Sequence, residues 1–74
     1  MIGNHVTWKK LEGKADASMT EGYGFGVLMK LEEGRSMLIV GDYGILTSYV
    51  KHIEDTSEGL KVITRNSTYL VKRA

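Results

Sequence analysis

Two histidines, His5 and His52, are the only imidazoles in this 74-residue sequence, and they stand far apart. Acid–base or nucleophilic catalysis needs such a group held against an orienting partner. His52 has Glu54 two residues on, which places both on one face of a strand and suits a surface hydrogen bond. Neither histidine has a second ligand at a metal-binding spacing. The acidic pairs Glu32–Glu33 and Glu54–Asp55 lie in turn-like segments, where neighbours point apart and offer too few oxygens for a hard cation. The serines fall in strand and turn contexts, where hydroxyls satisfy nearby backbone groups. Gly22, Gly24 and Gly26 alternate, but the Gly-x-Gly-x-x-Gly spacing of a dinucleotide site is absent and no helix follows. The expectation is a chain without catalytic residues, metal or cofactor, and hence not an enzyme.

Binding chemistry is better represented. Ten basic side chains against nine acidic ones leave a net charge of +1, too little for bulk attraction to nucleic acid or an anionic membrane. Nucleic-acid binding would need Lys9, Lys30, Lys51 and Arg65 to converge beside an exposed aromatic. Trp8, Tyr23, Tyr43, Tyr49 and Tyr69 are the rings able to stack on bases. Trp8, the single tryptophan, reads either as a core or rim residue of a small barrel or as an exposed stacking platform.

The other binding class is assembly. Met37, Leu38, Ile39 and Val40 form a wholly apolar run, expected where a strand is covered on both faces or lies in a subunit interface. Gly24 and Gly26 beside it mark either tight barrel curvature or a flat groove for a ligand or second subunit. No cysteine is present to staple so small a core. Self-association through Met37–Val40, Gly24 and Gly26 is therefore expected, as a homo-oligomer or with another protein. No apolar run is long enough to span a membrane, and Met1–His5 lack the features of a signal peptide, so a cytoplasmic location is expected.

These groups must be positioned by strands. Tyr23, Phe25, Val27, Met29 and Leu31 occupy alternate positions, and the polar break at residues 32–35 contains a glycine, which predicts a hairpin with the run from Met37. Residues 5–9, 45–53, 60–65 and 68–72 read as further strands, with turns at 41–44, 55–59 and 66–67. Residues 10–21 lack a period of two and predict a long loop between the first two strands, a candidate contact surface. The spacing of Val50 and Ile53 predicts a short 3₁₀ turn. The whole is one all-β domain over residues 1–74, a small barrel of five to six short antiparallel strands.

Gly3, His5, Val6 and Trp8, then Gly24, Gly26, Val27 and Leu28, then residues 38–44 resemble in their order the SH3-like small barrels, including KOW and Tudor-type modules. That resemblance covers residues 3–54 and implies a barrel that binds nucleic acid, peptides or its own copies. In size and texture the chain also resembles small β-proteins of bacteriophages. The expected function is a non-enzymatic binding or assembly module that self-associates, with a nucleic-acid-binding barrel as the alternative.

Overall fold

The computed structural model describes residues 1–13 and 22–74. Most of the expected 10–21 loop, with the contact surface it suggested, lies outside the described residues. Six strands run in chain order: β1 (His5–Gly13), β2 (Tyr23–Lys30), β3 (Ser36–Tyr43), β4 (Ile45–Thr56), β5 (Gly59–Thr64) and β6 (Ser67–Arg73). Each pairs antiparallel with the next, and β6 returns to pair with β1, so the sheet closes into a barrel without a crossover. Closure satisfies the strand edges internally, which removes the edge pairing that an open barrel offers to a second copy.

The inner face carries Val6, Trp8, Leu28, Met37, Ile39, Ile45, Val50, Val62, Tyr69 and Val71, all buried. Trp8 connects four strands. From β1 its ring crosses β2 above Gly24 and its indole Nε1 donates a 2.8 Å hydrogen bond to the Tyr43 carbonyl of β3. On its other side it meets Tyr69 of β6 edge-on, with centroids 6.0 Å apart. A Cβ at Gly24 would lie 2.6 Å from Nε1 and would also strike the Tyr43 carbonyl. At Gly26 a Cβ would come within 2.5 Å of the Val40 carbonyl oxygen. The two glycines therefore face inward, let β3 and the indole approach, and turn Tyr23 and Phe25 outward. Their lack of side chains serves the tight curvature of the barrel, and Gly24 also lines an outer groove beside Tyr23 and Phe25.

Alternation also divides the apolar run of β3. Met37 and Ile39 point into the core, whereas Leu38 is half-buried and Val40 exposed. Met37 and Ile39 are thus interior residues of the same barrel, and Leu38 and Val40 are the members of the run turned outward. The β3–β4 register shifts between Ser36 and Leu38, and the buried Thr47 hydroxyl accepts the Met37 amide there at 3.0 Å. A buried amide is thus satisfied where the ladder is interrupted.

Bulges explain the other departures. β1 continues through Gly13 because Lys10, Glu12 and Gly13 pair with Tyr69, Thr68 and Ser67, and the extra residue Leu11 hides the period of two. The expected 3₁₀ turn at residues 50–53 is strand. Val50 pairs with Thr64 and His52 with Ile63, leaving Lys51 as an extra residue that produces the spacing of three. Residues 41–43 remain paired to β2 through Tyr43, so the turn into β4 closes at Gly44, whose amide bonds the Gly41 carbonyl. The last reversal lies at 65–66, where the Thr64 hydroxyl accepts the Ser67 amide at 3.1 Å and donates to the Ser67 carbonyl at 2.8 Å.

Gly24→Ala is expected to lower unfolding free energy by about 2–4 kcal/mol, from forced overpacking plus the weakened indole bond. Urea denaturation followed by Trp8 emission measures it. Gly22→Ala is the control, because a Cβ there meets only the Lys10 Cβ, at 3.9 Å; equal losses for the two variants would contradict the packing described.

Candidate functional site

Side chains paired across antiparallel strands point to the same face, so the register lays out the outer surface. One outer rung runs Lys72 (β6), Thr7 (β1), Phe25 (β2), Tyr43 (β3). The next runs Leu70 (β6), Lys9 (β1), Tyr23 (β2). Together they line a groove of about 690 Å³, with Leu11 at one end and Glu58 of the β4–β5 turn at its rim. Tyr23, Phe25 and Tyr43 are 64%, 54% and 55% exposed. The Phe25 and Tyr43 rings touch, with centroids 5.3 Å apart and planes at 43°. The Tyr43 carbonyl, on the same residue, accepts the Trp8 indole hydrogen bond.

Aromatic rings more than half exposed outside a core that is filled without them do little for the barrel. Such a surface supplies flat apolar area with polar tips, the chemistry of recognition. Lys9 and Lys72 add positive charge on the β1–β6 side. Among the described residues the only ion pairs are Glu32 with Arg35 at 2.9 Å and Glu54 with His52 at 3.8 Å, so neither groove lysine is neutralised.

A second surface covers the outside of β3 and β4. Leu38 pairs with Leu46 and Val27 with Val40. Leu46 and Tyr49 are both 64% exposed, and Val40 is 53% exposed. Leu38, Leu46 and Tyr49 line a depression of about 450 Å³ bounded by Lys30 and Arg35.

The four basic residues singled out from the sequence are all exposed but scattered. Lys9 lies in the aromatic groove, Lys30 in the β3–β4 depression and Arg65 beside Glu12 at the β5–β6 turn, while Lys51 stands on the β4 bulge and lines none of these. Trp8 is buried in the core and, with Gly24, also lines the inner side of the groove. Tyr69 is buried with it; Tyr23, Tyr43 and Tyr49 are the tyrosines left outside. Phe25 and Lys72 enter the site without having been singled out. The signal for Phe25 was its place between two strand glycines, which leaves one face of β2 bare inside and aromatic outside. Lys72 joins through the β1–β6 closure, which no local pattern encodes.

His52 and Glu54 are both about half exposed on the surface of β4. Among the described residues, no three His, Asp or Glu side chains gather where a metal ion would bind. Comparison with protein-family models, curated proteins and solved structures found no match to the chain.

Because the outer rings are more than half exposed, Phe25→Ala and Tyr43→Ala should each cost less than about 1.5 kcal/mol. Trp8→Ala should cost about 3–5 kcal/mol. Guanidinium titrations followed by far-ultraviolet circular dichroism measure all three. A Phe25→Ala loss matching that of Trp8→Ala would show that the outer ring belongs to the core.

Proposed function

We propose that this chain is a non-enzymatic binding and assembly module that pairs with a second copy through the outer face of β3 and β4. The observation that carries it is the row of exposed apolar side chains Val40, Leu46 and Tyr49, with half-buried Leu38, outside a barrel already filled within. A row of this kind is a recognised mark of an interaction surface. Its rim supports a self-complementary partner. Lys30 and Arg35 stand beside Glu32 and Glu33 of the β2–β3 turn. A rim bearing both signs can oppose its own copy across a two-fold axis, where a residue of each subunit meets its counterpart's neighbour.

The closed barrel narrows how copies meet. Edge-to-edge strand addition is unavailable, so association is face to face. The SH3-like resemblance agrees with this reading, since small barrels of that kind bind other chains or their own copies through outer surfaces. A small domain without disulfides also gains stability from burial against a partner.

Sedimentation velocity at about 100 µM, a concentration that fills even a micromolar dimer, is expected to show a dimer. Leu46→Lys combined with Val40→Lys should give a monomer with an unchanged circular dichroism spectrum. Wild-type protein that remains monomeric, or a double variant that remains dimeric, would overturn the proposal.

A further inference from the structure

We infer that the groove across β6, β1, β2 and β3 binds single-stranded nucleic acid, with bases on Tyr23, Phe25 and Tyr43 and phosphates on Lys9 and Lys72. The surface is distinct from the β3–β4 row, and the inference stands whether or not the chain pairs with itself.

The register sorts cationic and aromatic side chains onto different strands. Both outer rungs have the same polarity. The cations come from β1 and β6, and the rings come from β2 and β3. Neighbouring strands lie about 4.8 Å apart, so a cationic strip and an aromatic strip run side by side along the barrel wall. A single strand of nucleic acid has that cross-section: an anionic backbone along one side and flat bases along the other. An apolar protein surface would leave Lys9 and Lys72 unanswered, and a duplex would present phosphates with its bases hidden.

Spacing along β2 supports the same ligand. Tyr23 and Phe25 are alternate residues, so their backbone positions stand about 6.6 Å apart. Two stacking steps of about 3.4 Å amount to much the same distance, enough for one base to enter between the two rings. The Phe25–Tyr43 pair, already in contact at 5.3 Å, supplies a broader platform for the next base. Stacking of this kind accepts every base and predicts little sequence preference. Glu58, on the β4–β5 turn, is the one carboxylate lining the groove among the described residues, and its neighbour Gly59 lies against the Lys72 side chain, so it stands on the cationic side of the groove.

The test is fluorescence anisotropy with a labelled oligothymidylate of about twelve nucleotides, near the upper range of single-domain site sizes. Wild-type protein should bind saturably at low salt. The logarithm of affinity should fall against the logarithm of salt concentration with a slope of about −1.4, as two phosphate contacts on a single strand require. Phe25→Ala with Tyr43→Ala should weaken binding at least fivefold, a lower bound for one lost stacking contact, without altering that slope. Lys9→Gln with Lys72→Gln should weaken binding and bring the slope towards zero. Lys30→Gln with Lys51→Gln should change neither.

Lack of saturable binding at low salt would overturn the inference. So would an equal loss from the Lys30/Lys51 pair, or equal affinity for a duplex of the same length. Sedimentation of the same samples separates the two proposals. Dimers that bind no oligonucleotide overturn only the groove, and monomers that bind it overturn only the pairing of copies.

Discussion

The indole of Trp8 reaches from β1 to the Tyr43 carbonyl of β3, and everything lying between them must give way. What gives way is the side chain of residue 24. β2 can pass beneath the indole only if it carries glycine there, since a Cβ would meet both the ring and the carbonyl. Once Gly24 faces inward, the pleat of β2 is set: Gly26 and Leu28 must also face inward, and Tyr23 and Phe25 outward. The bond is part-buried, and its donor sits on a buried ring, where leaving it unmade is costly. It therefore selects the β1–β2–β3 register as well as stabilising it.

The same constraint accounts for an otherwise odd surface. Hydrophobic alternation along β2 does not say which face lies inside. By apolar area alone the aromatic face is the better core, and the glycines reverse that preference by admitting Trp8 in its place. One large ring inside thus corresponds to two rings outside, and β3, drawn close by the same glycines, adds a third. Closure by β6 then brings Lys72 level with Phe25 and Tyr43, and Lys9 on β1 sits opposite Tyr23. A barrel closed in this way has faces but no edges to offer, so any recognition must use side chains on its outer wall.

Much of this was legible in the residues. The strands with clean alternation, β2 and the start of β3, stand where their pattern places them, and the all-β barrel follows from several short strands joined by polar turns. The misplaced segments share one cause. Extra residues at Leu11 and Lys51 break the period of two, so strand continuing through Gly13 looked like loop and strand through Ile53 looked like a 3₁₀ turn. A bulge shifts phase without changing pairing partners, and a periodicity argument cannot tell it from a strand end. The sites fared differently. The run Met37–Val40 does not itself show that a closed barrel turns Met37 and Ile39 inward and Leu38 and Val40 outward. The rings and lysines of the groove come from four strands, and only long-range register brings them together.

Hydrogen exchange of the Trp8 indole proton, read by nuclear magnetic resonance, tests the organising bond most directly. If the indole proton is held by the Tyr43 carbonyl beneath the groove, it should exchange only when the whole barrel opens, at the rate of the slowest core amides such as those of Leu28 and Ile39. Exchange at the rate of a freely exposed indole, while those amides stay protected, would show that the bond does not hold the three strands together.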